Sequence, residues 1–251
     1  MSLTTDSDRS TLILPVTEQR PVVRHLALIL DGNRRWARTR GLPARAGYER
    51  GGARVLELLS WCRETEGLDT VTLWPLSVDN LRRPHAELTG LYEVIGAVTE
   101  RIAALGHWRI RLIGAPDALP GELAARLRHV AREAGRPAGP VVNIAVAYSG
   151  RDEIARAVRN LVHAHHEAGT LHSLAGGVAP EEIAHCLDTS GQPDPDLVIR
   201  TSGEQRLSGF MPWQTAYSEF FFCPAPWPDF DRREFERALR CYRARHRRLG
   251  L

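Results

Sequence analysis

The sequence of 251 residues contains no lysine, so all 33 of its basic residues are arginines. This absence excludes Schiff-base chemistry on a lysine and phosphate binding by a Walker A lysine. Any anion that the protein binds must therefore be held by arginine side chains, backbone N–H groups or a metal ion. The formal net charge is only +3, and this near balance argues against a module that binds RNA or DNA.

Cysteines and long apolar runs are also scarce. The four cysteines are far apart and no pair has the spacing of zinc ligands, so we expect reduced thiols. No apolar run approaches the roughly 20 residues of a membrane-spanning helix. The first 22 residues show no basic segment followed by an apolar one, so we expect no signal peptide and a cytoplasmic location.

Short apolar segments alternate with segments of helical spacing from residue 25 onward. The predicted strands span residues 26–30, 69–76, 108–114, 141–148, 196–200 and 219–223, and the predicted helices span 45–67, 86–106, 121–135, 151–168, 180–187 and 231–247. This alternation indicates an α/β fold, here a single domain with a mostly parallel central sheet flanked by helices. We place the domain at residues 23–251 and expect residues 1–22, which are polar and aperiodic, to form a disordered or mobile tail.

Polar segments follow three of the predicted strands. Asp31 follows the first strand, Ser77–Pro84 the second, and Arg200–Gly203 a later one. Ligands of parallel α/β sheets bind beyond the carboxyl ends of the strands, so we expect these three segments to meet at one edge of the sheet.

The side chains of these segments suit phosphate groups and a hard cation. The Asp31 carboxylate can ligate Mg²⁺. Arg200, Arg206 and Ser208 can bind a diphosphate through charge-assisted hydrogen bonds. Glu219 begins a very apolar strand and would be costly to bury without a cation. Each pattern on its own is also typical of a surface loop or a structural ion pair.

The predicted helix 86–106 has an almost continuous apolar side. Its apolar residues include Leu91, Tyr92, Val94, Ile95 and Val98. Core packing is the expected role of most of them, but a slot between this helix and the sheet could also house a hydrocarbon tail. A diphosphate site beside such a slot suggests a prenyl diphosphate as the ligand.

Long stretches of the chain resemble the cis-prenyltransferases, the family of undecaprenyl diphosphate synthase. The resemblance rests on "HLALILDGNRRWARTRG", "TLWPLSVDNLRRP", "NIAVAYSGRDEI" and "DPDLVIRTSGEQRLSGFMPWQTAYSEFFFCPAPWPDF". It implies a homodimeric parallel-sheet fold with a hydrophobic tunnel. It also implies Mg²⁺-dependent condensation of isopentenyl diphosphate with an allylic prenyl diphosphate, which forms a cis double bond.

The resemblance assigns roles to individual residues. It implies that Asp31 is catalytic and ligates Mg²⁺, that Glu219 is a second Mg²⁺ ligand, and that Asn80 is at the position proposed in the family as proton acceptor. Asn80 is a poor base by pKa, so the departing diphosphate stays open as the acceptor. The substrate-binding positions that the resemblance implies are Gly32, Asn33, Arg34, Arg35, Trp36, Tyr48, Ser77, Val78, Asp79, Leu81, Arg83, Arg200, Arg206, Leu207, Ser208, Arg248 and Gly250.

Several positions depart from the usual pattern of the family. Tyr48 stands where histidine is usual, Leu81 where tryptophan is usual, and Gly209 where asparagine is common. At these three positions the sequence resembles the short-chain actinobacterial branch of the family, whose members make (Z,E)-farnesyl diphosphate. The resemblance therefore favours a short- or medium-chain (Z)-prenyl diphosphate as product.

Four alternatives stay open at the level of sequence. Two concern the product: irregular head-to-middle coupling to a lavandulyl-type skeleton, and a long-chain, undecaprenyl-like product. A non-catalytic partner subunit is disfavoured because Asp31, Arg200, Arg206 and Glu219 are all present. A nucleic-acid partner is not expected, and contact with a membrane should be peripheral at most.

Overall fold

The computed structural model of the chain describes residues 22–134 and 139–244. The predicted N-terminal tail lies almost wholly outside the described residues, as do Arg248 and Gly250. Among the described residues, no helix is both long enough and apolar enough to cross a membrane.

Six parallel strands form one central sheet in the order β3-β4-β2-β1-β5-β6. The strands are β1 (His25–Ile29), β2 (Thr70–Trp74), β3 (Arg109–Gly114), β4 (Val141–Val146), β5 (Leu197–Arg200) and β6 (Glu219–Phe222). The helices are α1 (Asn33–Arg38), α2 (Ala44–Arg63), α3 (His85–Ala104), α4 (Gly121–Glu133), α5 (Gly150–Glu167), α6 (Pro180–Cys186) and α7 (Arg232–Ala244). The predicted mostly parallel α/β sheet is confirmed.

Both faces of the sheet are covered, which explains why its central strands are buried along their whole length and mostly apolar. Successive residues of a strand point to opposite faces. Accordingly, Leu26 and Leu28 of β1 belong to the large core cluster that includes α2 and α3, whereas Ala27 and Ile29 belong to a smaller cluster on the other face.

The boundaries of the elements differ from the predicted ones by a few residues. The helix predicted at 45–67 ends at Arg63, and a turn that includes Gly67 with φ +75° follows it. The strand predicted at 69–76 ends at Trp74, which leaves Pro75 and Leu76 between the sheet and the polar segment. The short helix α1 was not predicted as a separate element, because six residues with one buried side chain show no amphipathic period.

Candidate active site

The three polar segments meet, as predicted, at the carboxyl edge of the sheet. They surround a cavity of about 630 Å³ beyond the ends of β1, β2 and β5. The predicted site residues that line it are Asp31, Gly32, Asn33, Arg34, Arg35, Tyr48, Ser77, Asp79, Asn80, Arg83, Arg200 and Ser208.

Asp31 and Arg200 form an ion pair in this cavity. Arg200 Nη2 donates to Asp31 Oδ2 at 2.9 Å, and the Arg200 side chain is only 5% exposed against 31% for Asp31. The Nη1 atom of Arg200 donates to Ser208 Oγ at 2.7 Å and to the carbonyl oxygen of Arg206 at 2.5 Å. Arg200 Nε is buried without a hydrogen-bond partner. One guanidinium group thus orients both the Asp31 carboxylate and the loop that carries Ser208.

The backbone at Gly32 excludes any larger residue. Its φ is +103°, and a Cβ there would lie 2.8 Å from Pro226 Cβ and 3.0 Å from Ser202 Cβ. Helix α1 begins at the next residue. Glycine therefore lets the chain turn from β1 directly into the helix, so that Asp31 and the arginines of α1 face the same cavity.

The loop between β5 and β6 is anchored beside the cavity. Phe210 stacks on Trp74 with ring centroids 4.9 Å apart, and the Gly150 N–H donates to the Gly209 carbonyl at 2.9 Å. Gly209 has φ +81°, a conformation in which asparagine is tolerated less easily than glycine. The replacement of the common asparagine is thus compatible with this loop geometry.

Four side chains from three segments form a second hydrogen-bonded network at the cavity. The Tyr48 hydroxyl donates to Glu87 Oε1 at 2.6 Å and accepts a hydrogen bond from Arg83 Nη1 at 3.2 Å. Arg83 Nη2 in turn donates to Asn80 Oδ1 at 2.7 Å. Burial, and then the hydrogen bond to Glu87, raise the pKa of Tyr48. The phenol therefore stays protonated and keeps its role as donor to the carboxylate.

An apolar slot of about 60 Å³ opens between α2, α3 and the sheet. It shares five wall residues with the polar cavity, and we call this shared ring the neck: Leu30, Asn33, Tyr48, Pro75 and Leu91. Leu91, Val94, Ile95 and Val98 line the slot as the sequence indicated, but Tyr92 is not part of its wall.

Glycine at position 52 lets α2 approach α3 closely at the far side of the slot. A Cβ on Gly52 would lie 2.7 Å from Val98 Cγ2 and 3.1 Å from Val94 Cγ1. The two helices are therefore in near contact along this part of the slot wall, which narrows the slot there.

Comparisons with known proteins agree with this geometry. Residues 29–250 match the family model for undecaprenyl diphosphate synthase. The chain belongs to this family. It is 49% identical over 231 residues to a (2Z,6E)-farnesyl diphosphate synthase of Mycolicibacterium smegmatis, an alignment that covers 90% of this chain and 88% of the relative.

Two further relatives extend the comparison. An isoprenyl transferase 1 of Streptomyces avermitilis is 48% identical over 230 residues, which cover 91% of this chain and 89% of the relative. The crystal structure of lavandulyl diphosphate synthase from Lavandula x intermedia, in complex with dimethylallyl diphosphate, superposes with a TM-score of 0.84 at 30% identity and covers 92% of this chain and 99% of that one. The protein is thus a cis-prenyltransferase with the fold of that structure.

Some residues implied by the family resemblance lie away from the cavity of this cis-prenyltransferase. The Trp36 indole Nε1 donates to Asp229 Oδ1 at 2.6 Å, and Leu81 packs against the core. Arg206 pairs with Glu204 at 2.5 Å, and Arg35, which does line the cavity, pairs with the same carboxylate at 3.3 Å. Val78 and Leu207 are also outside the lining of the cavity.

Glu219 lies at the opposite end of its strand. It pairs in register with Leu197, three positions before the pair Arg200–Phe222 at the carboxyl edge. At about 3.3 Å per residue this displacement is roughly 10 Å along the strand. Within one protomer, Asp31 and Glu219 are therefore not brought together, and the second-ligand role of Glu219 stays a prediction.

The donor set at Asp31 suits Mg²⁺ that is shared with substrate. Among the described residues, no group of three or more histidine, cysteine, aspartate or glutamate side chains could hold a metal. Mg²⁺ usually takes one or two carboxylates and completes its shell with water and phosphate oxygens. One aspartate in a cavity lined by arginines fits that mode of binding.

The sequence did not predict that Pro75 lines the site or that Glu87 contacts the lining residues Tyr48 and Arg83. Pro75 was assigned to a strand, although it lies in the neck. The signal for Glu87 was its spacing of four residues from Arg83, which brings the two side chains to one side of a helix start.

Proposed function

We propose that this cis-prenyltransferase condenses isopentenyl diphosphate with a short allylic prenyl diphosphate and releases a short-chain (Z)-prenyl diphosphate. The observation that carries the proposal is the neck, where a polar cavity with Asp31 and several arginines opens into an apolar slot. This arrangement suits a substrate whose charged head and hydrocarbon tail must be held on opposite sides of one reacting carbon.

The arginines of the cavity would hold the diphosphate groups in place. Arg34 and Arg83 flank the neck, so they are suited to the head group of the allylic substrate whose tail enters the slot. Arg200 and Ser208 lie on the opposite side and are suited to isopentenyl diphosphate. When bound at Asp31, Mg²⁺ would supply positive charge to the leaving diphosphate.

Asn80 is suited to orienting substrate and poorly suited to accepting a proton. Its Oδ1 accepts a hydrogen bond from Arg83, and a carboxamide oxygen so engaged is an even weaker base. In the proposed reaction the allylic C1 loses diphosphate and bonds to C4 of isopentenyl diphosphate. The proton then leaves C2 of the isopentenyl unit, and we infer that the departing diphosphate accepts it.

A short product is supported by the size of the slot and by the relatives. The slot of about 60 Å³ is narrowed where Gly52 packs against Val94 and Val98. The relatives of Mycolicibacterium smegmatis and Thermobifida fusca, both 49% identical, are named (2Z,6E)-farnesyl diphosphate synthases. A (Z,E)-farnesyl-type product is therefore the one we expect, and a long polyprenyl product is disfavoured.

Irregular coupling of two allylic units is the second candidate. It is favoured by the structural similarity to lavandulyl diphosphate synthase. In that reaction dimethylallyl diphosphate would serve as both donor and acceptor, without isopentenyl diphosphate.

A homodimer is supported by the edge of the sheet. β6 is an edge strand that carries three consecutive phenylalanines, and two of them, Phe220 and Phe222, stack with ring centroids 6.0 Å apart while remaining partly exposed. Exposed apolar edge strands favour association. We propose a cytoplasmic homodimer, and sedimentation equilibrium of the full chain tests its mass.

One product assay separates the candidate reactions. The protein is incubated with Mg²⁺, isopentenyl diphosphate and either dimethylallyl, geranyl or farnesyl diphosphate, and separately with dimethylallyl diphosphate alone. Dephosphorylated products are compared with (Z) and (E) standards by gas chromatography and mass spectrometry. A short (Z)-prenol is expected, product from dimethylallyl diphosphate alone would favour irregular coupling, and no product with any primer would refute the proposed function.

A further inference from the structure

Glu87 is a carboxylate that contacts three residues lining the polar cavity, Tyr48, Arg34 and Arg83, although it is not itself part of the lining. It lies in the first turn of α3, and its side chain is 19% exposed. A negative charge here must either compete with a substrate diphosphate or serve another purpose. Its contacts distinguish these two possibilities.

Three groups of the cavity converge on Glu87 Oε1. The Tyr48 hydroxyl donates to it at 2.6 Å, Arg34 Nη1 lies 3.5 Å away and Arg83 Nε lies 3.6 Å away. The Tyr48 contact is a short hydrogen bond, whereas the two arginine contacts are longer ion pairs. The strongest partner of Glu87 is therefore the phenol, and the arginines keep N–H groups for other acceptors.

The contacts of Glu87 continue to the reacting region through two residues. Tyr48 accepts a hydrogen bond from Arg83 Nη1, and Arg83 Nη2 donates to Asn80 Oδ1. Tyr48 also forms part of the neck. The orientation of Arg83 and of the Asn80 carboxamide thus depends on a phenol that Glu87 fixes.

We propose that Glu87 is a positioning residue that holds the Tyr48 hydroxyl and the Arg83 guanidinium at the neck for the allylic diphosphate. The inference deepens the proposed function of this site and rests on it. The Glu87 carboxylate fixes the orientation of the Tyr48 and Arg83 donors before substrate binds. The allylic diphosphate can then form its hydrogen bonds without a rearrangement of these side chains.

The test compares Glu87→Ala and Glu87→Gln with a matched control on the same helix. Glu93→Ala removes an exposed carboxylate that pairs with Arg45, so kcat/KM should stay within about twofold of the native value. Glu87→Ala should lower kcat/KM for the allylic primer by about 10- to 100-fold, the range for a hydrogen bond to a charged group. The KM for isopentenyl diphosphate should stay nearly unchanged, since its side of the cavity is formed by Arg200 and Ser208.

Glu87→Gln provides the conservative rescue. Its amide oxygen can still accept from the Tyr48 hydroxyl, so it should recover most of the loss seen with alanine. A variant Tyr48→Phe/Glu87→Ala should be no worse than the poorer single variant, because both changes break the same chain of contacts. Equal losses for both substrates, or independent losses in the double variant, would overturn the proposal.

Binding of inorganic diphosphate, measured by calorimetry, tests the inference separately from turnover. Positioning predicts weaker binding to Glu87→Ala, by about tenfold, whereas a competing carboxylate predicts tighter binding. Unchanged or tighter binding in a variant whose thermal unfolding midpoint matches the native one overturns the role of Glu87. Failure of the proposed function would instead appear as native protein without product.

Discussion

Replacement of Asp31 separates its role toward substrate from its role toward Arg200. Asp31→Ala leaves a nearly buried guanidinium without its carboxylate, although Nη1 keeps its bonds to Ser208 and the Arg206 carbonyl. A lost hydrogen bond between charged groups costs about 1.5–3 kcal/mol, and the 31% exposure of Asp31 reduces this toward the lower end. At about 2–4 °C per kcal/mol for a chain of this size, we expect the melting temperature to fall by roughly 3–8 °C.

Asp31→Asn keeps an oxygen that can accept from Arg200, so its unfolding free energy should fall by about 1 kcal/mol or less. Turnover should nevertheless fall about 100- to 1,000-fold in both variants, because neither keeps the carboxylate that would hold Mg²⁺ against the negative charge that develops on the diphosphate. Diphosphate release and differential scanning calorimetry measure the two quantities. Asp117→Asn, at an exposed surface pair, is the control.

The reasoning fails if Asp31→Asn turns over within about threefold of the native protein, because a metal-binding carboxylate does not tolerate that change. It also fails if both variants are destabilised equally, since the asparagine should preserve the contact with Arg200. The expected pattern, equal loss of activity with unequal loss of stability, is not produced by general damage to the fold.

Three further predictions concern the slot, the neck and the metal. Val98→Ala should enlarge the slot and lengthen the product by one isoprene unit, as measured by mass spectrometry. Burial of the five additional carbons in the slot can contribute up to about 4 kcal/mol. The control Val158→Ala, on the exposed side of α5, should leave the product unchanged. In Tyr48→His, the Glu87 carboxylate and the bound diphosphate favour the protonated imidazole, whereas Arg83 and Arg34 beside it disfavour that form. The affinity that the imidazolium adds is present at low pH and is lost as pH rises through the imidazole pKa. The KM for the primer should therefore rise between about pH 6 and 8, whereas the native KM should not follow this titration because burial keeps Tyr48 protonated. Removal of Mg²⁺ by a chelator should abolish turnover and leave the melting temperature of the substrate-free protein within about 2 °C, because no described cluster of ligands depends on a metal for its fold; a large fall would contradict this.

Much of the fold could be predicted because the strands of a sheet covered on both faces are continuous apolar runs. β1, β2, β4 and β5 are buried along their whole length, and each was recognised from its composition. The polar segments that follow these strands then predict the position of the site, since parallel strands place their carboxyl ends at one edge of the sheet. The same rule separates Glu219 from Asp31, because the first residue of a parallel strand lies at the opposite edge.

The partners of individual charged side chains could not be predicted in the same way. Arg35 and Arg206 approach one another through Glu204, and Trp36 turns toward Asp229 at the surface. Sequence spacing does not specify the contacts of Arg35 with Glu204 and of Trp36 with Asp229, because they join residues 169 and 193 positions apart. Glu87 shows both limits: its spacing to Arg83 is local, but its shortest hydrogen bond is to Tyr48, 39 residues away.

The absence of lysine and the charge of the cavity together explain why a divalent cation is expected here. Five arginines and two aspartates line the cavity: Arg34, Arg35, Arg38, Arg83, Arg200, Asp31 and Asp79. Arginine does not lose its proton in the physiological range, so the positive charge of this wall is fixed. Two of these arginines also share Glu87. The net positive charge that remains on the cavity wall is small compared with the negative charge of two neighbouring diphosphate groups. A cation that binds together with the substrates would offset the difference. The aspartate at the end of β1 is where such a cation can be held while the guanidinium groups, which cannot adjust their charge, fix the geometry around it.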